Sequence, residues 1–319
     1  MNSRHTFNAR TAIMAALLAA VVAGCGSGDG GKIFGNGGGG GGAGAGAGNP
    51  GPAGAAPSLG TAASFAGLAG GGAGMTNQGT STVISGAQGQ PVSIGTTAAS
   101  TTVTGFHDTS VPYTPPAPTA SGCTYTETTL NVGVVNGTIN TDAPPPHIAC
   151  PNEGTAATKV IADQAAADAL AAFNDLAART GAADPGANLG GLTLAPGVYA
   201  TASGGFLITG SDLTLDAGGN ANAVWVFQMA NSLTVGAPAL PRSIILAGGA
   251  QPKNIFWQVG SSATINAAGG GTMVGTIISS ASTTFSTAGN ATITTLNGRA
   301  LALNASVTLV NTVINVPAP

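Results

Sequence analysis

Residues equipped for chemistry are few. The chain has 319 residues, with 3 His, 3 Cys, 8 Lys+Arg and 11 Asp+Glu. Asp212 and Asp216 stand four apart in a strand-and-turn segment, the nearest thing to the acid pair of a polysaccharide hydrolase or lyase. Asp216-Ala217-Gly218-Gly219-Asn220 reads as a loop, so both acids are expected to end turns. Cys123, His147 and Cys150 lack the CxxC or HxxxH spacing of a metal site. Arg299, after Asn297-Gly298, reads as a structural hydrogen-bond donor at a corner of the chain. No catalytic residue, metal ligand or cofactor is assigned, and no enzymatic activity is expected. A net charge of −3 cannot supply the basic patch that binding to nucleic acid requires.

What recurs instead is threonine between apolar neighbours. Leu213-Thr214-Leu215, Leu233-Thr234-Val235, Ala263-Thr264-Ile265 and Val307-Thr308-Leu309 share the pattern, with Thr283-Thr284-Phe285 as a looser copy. Side chains alternate across a strand, so the flanking residues point inward and each middle Thr faces solvent. Val226–Val235 also aligns without gaps to Phe256–Ile265, an offset of 30 residues. Self-similarity at this period marks a coiled β-solenoid, whose stacked rungs bury one continuous core. Outward Thr on successive coils would form rows about 4.8 Å apart on a weakly charged surface. Each Thr holds a stiff χ1 and offers one methyl and one hydroxyl in a repeated orientation. Such a face suits recognition of a repeating solid, with ice the obvious case.

Other segments must export and position that face. Arg4 and Arg10 precede a nearly all-apolar run from Thr11 to Val22, which reads as a secretory signal over residues 1–24. Val22-Ala23-Gly24-Cys25 resembles a bacterial lipobox, in which Cys25 becomes the lipidated first residue; the alternative is ordinary cleavage after Gly24. Residues 25–57 form a Gly/Ala tract expected to be a flexible linker. In an exported chain, Cys123 and Cys150 are expected to form a disulfide. Residues 105–154, rich in turns and Pro, read as a cap or insertion. Residues 155–180 read as a helix, with Val160, Ile161, Leu170, Phe173 and Leu176 as its core stripe and Ala between them.

Residues 58–316 also resemble the ice-binding-like domain of secreted antifreeze proteins from cold-adapted microbes. The resemblance is carried by Leu59-Gly60-Thr61-Ala62-Ala63-Ser64-Phe65, Leu194-Ala195-Pro196-Gly197-Val198-Tyr199 and Ala223-Val224-Trp225-Val226-Phe227-Gln228. It continues through Asn254-Ile255-Phe256-Trp257-Gln258-Val259 and Leu296-Asn297-Gly298-Arg299-Ala300-Leu301-Ala302. It implies a mainly β fold: a right-handed discontinuous β-solenoid (β-helix) of roughly triangular section with one long α-helix packed alongside. It also implies adsorption to ice. Of the short Thr-Ala/Gly-x-Thr/Asn motifs found on some family members' ice faces, Thr287-Ala288-Gly289-Asn290 fits cleanly.

The expected organisation is thus a signal over 1–24, a linker over 25–57 and a solenoid domain over 58–319. The expected ice-binding residues are Thr214, Thr234, Thr264, Thr284, Thr308, Thr287 and Asn290. The partners are an ice crystal surface and, through Cys25, a membrane; the chain is expected to be monomeric. Its place is the outer membrane or cell surface as a lipoprotein, or otherwise the medium as a secreted protein. A structural or adhesive surface lipoprotein without ice affinity is the competing reading.

Overall fold

The computed structural model describes residues 50–109, 123–237 and 239–318. Cys25, the signal and most of the spacer lie outside these residues. The described chain is mainly β, with one long helix. Nearly all strand pairs are parallel, as stacked coils require.

One coil shows how the sequence makes the fold. Phe206–Ile208, Leu213–Asp216 and Trp225–Met229 lie in three different sheets, after which Leu233–Val235 stacks directly on Phe206–Ile208. Each coil therefore presents three faces: the ladder face, the third face and the helix face. The three-residue strands bury their ends and expose their centres, so alternation alone fills the lumen. Inside, the Tyr199, Phe227 and Trp257 rings stack on successive coils, with centroids 5.4 and 4.0 Å apart. The indole N–H groups of Trp225 and Trp257 donate to the carbonyls of Leu194 and Val274 at 3.2 and 2.9 Å, which removes the cost of burying those donors.

The coils do not follow chain order. The C-terminal strand Thr312–Val316 lies between Thr294–Ala302 and Thr82–Gly86. N-terminal residues thus cover the end of the C-terminal coil, which makes the solenoid discontinuous. At that end the stack continues through the insertion, where Gly133–Val135 pairs with Thr82–Gly86 and Ile139–Asp142 pairs with Ser93–Ala99. At the opposite end, bridges from Ala183 to Tyr199 and from Asn188 to Leu207 cover the edge strands, which otherwise offer unpaired N–H and C=O groups to other chains.

The helix spans Ala156–Ala177 and opens on a reciprocal cap between Thr155 and Thr158. Its expected core stripe is corrected. Val160, Ile161 and Leu170 are exposed, at 67%, 43% and 48%, while Ala162, Ala165, Ala169, Ala172 and Leu176 are buried. The reason lies in the partner. The helix rests on Leu68, Val198, Val226, Phe256, Ile278 and Leu301 of the sheet, and these large side chains leave room for methyl groups along most of its length, while the expected Phe173 and Leu176 pack against the same layer near its end. Gln228 Nε2 donates to the carbonyls of Leu176 and Arg179 at 2.7 and 2.8 Å, satisfying acceptors that a helix end leaves unpaired.

Residues 50–57 belong to the packed body rather than to free spacer. Gly51 N–H donates to Gly181 O at 2.8 Å, Val198 N–H donates to Gly51 O at 3.2 Å, and Arg179 Nη1 donates to Ala53 O. Arg299 is a structural donor, with Nε and Nη2 both bonded to Ala63 O at 3.0 and 2.8 Å. Its burial lowers the guanidinium pKa to about 10.

Candidate ice-contact face

Seven parallel strands form the ladder face: Phe206–Ile208, Leu233–Val235, Ala263–Ile265, Thr283–Phe285, Val307–Leu309, Met75–Asn77 and Val103–Thr104. Their central outward residues are direct register partners in the order Leu207, Thr234, Thr264, Thr284, Thr308, Thr76, Thr104. Six threonines therefore stand in one row, about 24 Å long at one strand spacing per step. Each is half-buried. None of the six hydroxyls bonds to another protein group among the described residues. Other threonines behave differently: Thr82 Oγ1 donates to Asn77 Oδ1 at 2.8 Å and Thr312 Oγ1 to Val310 O at 3.2 Å. The ladder hydroxyls are thus left for water.

A second row runs two residues earlier on the same strands. Ser232, Ser262, Ser282, Ser306, Gly74 and Thr102 follow one another, joined by the backbone bonds that link successive coils. Ser282 Oγ donates to Ser262 Oγ at 3.1 Å. Neither row contains an ionisable side chain. The face therefore offers regularly spaced methyls and hydroxyls without a charge to impose its own hydration shell.

Of the residues expected at the site, Thr234, Thr264, Thr284 and Thr308 come together on this row. Thr214 does not: it lies on the third face between Thr193 and Ile245. Its triplet has the same alternation, but the pattern reports only inside and outside, not which of three faces is meant. Thr287 and Asn290 occupy a corner loop, where Thr287 Oγ1 and Asn290 Nδ2 both donate to Ala267 O at 2.5 and 2.8 Å. Their polar groups brace the corner. Thr76 and Thr104 are the ladder members that sequence reasoning missed. Met75-Thr76-Asn77 and Val103-Thr104 carried a weak form of the pattern, but their place depends on the N-terminal segment stacking in parallel on the C-terminal coil, which periodicity does not report.

The insertion holds a cluster of buried ionisable groups, His107, Asp108, Tyr125, Glu127 and Glu153, at the far end of the coils. A disulfide joins Cys123 to Cys150, both almost fully buried. Beside it, Tyr125 Oη donates to Glu153 Oε2 at 3.2 Å. Burial, then the neighbouring Asp108, pushes the Glu153 carboxyl up to about 9. His107 Nδ1 lies 2.7 Å from Glu127 Oε1. Asp212 and Asp216, the acids considered for catalysis, both bond backbone: Asp212 Oδ1 accepts from Ser243 N–H on the next coil at 2.9 Å, and Asp216 Oδ1 accepts from Gly218 N–H within its own turn at 2.9 Å.

A family model described as ice-binding-like matches residues 69–315. The chain belongs to the ice-binding-like family. It is 40% identical over 195 residues to an ice-binding protein of Nostoc sp. (strain HG1), covering 59% of this chain and 66% of that protein. It is 36% identical over 125 residues to an ice-binding protein of Flavobacterium frigoris, covering 39% of this chain and 40% of that protein. The matched stretches thus span less than two thirds of these relatives' own lengths. Among solved structures, the ice-binding protein 1 domain of Shewanella frigidimarina superposes with a TM-score of 0.60 at 25% identity, covering 84% of this chain and 98% of that one. The ice-binding protein of an Arctic yeast gives a TM-score of 0.58 at 28% identity, covering 83% and 96%. These superpositions extend the family's solenoid-like fold to this chain.

Proposed function

We propose that this chain is an antifreeze protein that adsorbs to ice through the ladder face and so inhibits crystal growth or recrystallisation. The observation that carries the reading is the in-register row of Thr234, Thr264, Thr284, Thr308, Thr76 and Thr104, whose hydroxyls bond to no other group among the described residues. The physical argument is one of spacing and hydration. Parallel strands repeat every 4.8 Å or so, close to the repeat of water oxygens in ice. Rigid methyls at that interval order the water between them, while the hydroxyls hydrogen-bond to it. Adsorbed protein then forces the ice front to grow as curved surfaces between anchor points, which is unfavourable. Relatives named as ice-binding proteins support the same activity for this chain. Export through residues 1–24, with Cys25 as the lipidated residue, would place the face outside the cell, where ice forms.

The test is ice-recrystallisation inhibition by the full chain beside its Thr264→Tyr variant. Tyr at the middle of the row lifts the ladder face off a flat crystal, so inhibition is expected to fall sharply while the circular dichroism spectrum stays unchanged. A wild-type chain with no inhibition would refute the proposal. A labelled fatty acid incorporated at Cys25 is the expected mark of the anchor, and an unlabelled mature protein would remove that part of it.

A further inference from the structure

The third face carries a second regular surface. The long strands Thr272–Ser279 and Thr294–Ala302 begin there and continue onto the helix face. They turn at Gly275, whose φ is +101°, and at Gly298, where an added Cβ would lie 1.8 Å from Gly275 O. Before this turn, Thr272 N–H donates to Ser243 Oγ at 3.0 Å, which joins these strand beginnings to the third face. Outward residues Thr272, Thr295, Val313, Val83 and Val134 then follow in direct register. Their neighbours Met273, Leu296, Ile314, Ile84 and Val135 are buried in the core. Alongside runs a polar row of Asn297, Asn315 and Ser85, in which Asn315 Nδ2 donates to Asn297 Oδ1 at 3.1 Å. None of these outward residues is ionisable.

We propose that this surface is a second ice-contact plane, set at an angle to the ladder face; the inference rests on the reading of the ladder face given above. Two observations favour ice over another macromolecule. The first is continuity with the ladder. The coil that presents Thr308 on the ladder presents Val313 on this surface, across a corner fixed by Asn311, whose Oδ1 accepts from the N–H groups of Thr80 and Ser81, both at 2.9 Å. The coil that presents Thr76 likewise presents Val83. The two rows are therefore held rigidly to each other. The second is area. Five strands at about 4.8 Å and two outward rows about 7 Å apart give a patch of roughly 150 Å², far below the ~800 Å² per partner of a stable protein interface. Ice requires only flatness and repeat from so small a patch. Every member of the first row is β-branched, so each keeps a stiff χ1 and a γ-methyl. Val83, in the middle of the valines of this row, is 42% exposed.

The experiment is adsorption of fluorescently labelled full chain to a single-crystal ice hemisphere. Wild type is expected to stain two sets of crystal planes. Val313→Tyr is expected to lose one set and Thr264→Tyr the other, each with an unchanged circular dichroism spectrum. Should Val313→Tyr fail to fold, Val83→Tyr, at the more exposed position, takes its place. Loss of all staining in Thr264→Tyr, or unchanged staining in a folded Val313→Tyr or Val83→Tyr variant, would overturn the second plane and leave the ladder reading standing. Absence of wild-type staining overturns both.

Discussion

Thr308 and Thr76 are direct register partners on the ladder face, although they come from opposite ends of the described chain. The row therefore crosses the seam where the N-terminal segment stacks on the C-terminal coil. An ice-contact face built this way depends on closure of the whole fold, and the first prediction tests that dependence. Thr76→Tyr is expected to reduce recrystallisation inhibition as strongly as Thr264→Tyr. Thr214→Tyr, on the third face, is expected to retain it. Undiminished inhibition by folded Thr76→Tyr protein, or its loss in Thr214→Tyr, would show that the ladder is not the contact row.

The row ends at Leu207, which occupies a ladder position without a hydroxyl and is 41% exposed. Leu207→Thr lengthens the row by one step. A rise in thermal hysteresis at equal concentration is the expected outcome, with a stability change within about 0.5 kcal/mol because the site is on the surface. Unchanged or lower hysteresis would mean that the edge coil does not reach the ice.

The alanine face of the helix predicts opposite consequences for adjacent residues. Ala169 is fully buried against the sheet, whereas Leu170 is 48% exposed. Ala169→Leu overfills the interface and is expected to cost about 1–3 kcal/mol. Leu170→Ala is expected to change stability by no more than about 0.5 kcal/mol. Thermal unfolding separates the two, and the reverse order of Tm values would restore the apolar stripe expected from periodicity.

Glu153 sets a pH dependence. Its side chain is buried, and its pKa rises from 4.5 to about 9 in the folded protein. Between these values the folded state holds a proton that the unfolded state releases, so the folded state binds more protons and stability falls as pH rises. Stability from this group is greatest below about 4.5 and levels off above about 9. Tyr125, also pushed up by burial and by Glu153, acts in the same direction at still higher pH. Urea midpoints from pH 5 to pH 9 should therefore decline, and Glu153→Gln should flatten the decline. An equally steep slope in Glu153→Gln would assign the effect elsewhere.

By itself, the sequence determined the parts of this protein that depend on local pattern. Alternation around Thr234, Thr264, Thr284 and Thr308 specified strands with those threonines outward, because a strand's period of two is written residue by residue. The repeat at an offset of 30 specified stacked coils, and the expectation of export anticipated the bond between Cys123 and Cys150. Tertiary structure alone decided which face each outward residue joins. Thr214 and Thr234 share a triplet pattern but lie on different faces, since each coil turns three times and loop lengths vary. Thr76 and Thr104 join the row only because residues from the start of the domain close over its end. The helix followed the same rule. Its sequence offered an apolar stripe and a line of alanines, and the bulk of Phe256, Val226 and Leu301 beneath it selected the alanines, because close packing rewards the shape that fits over the side chain that is most apolar.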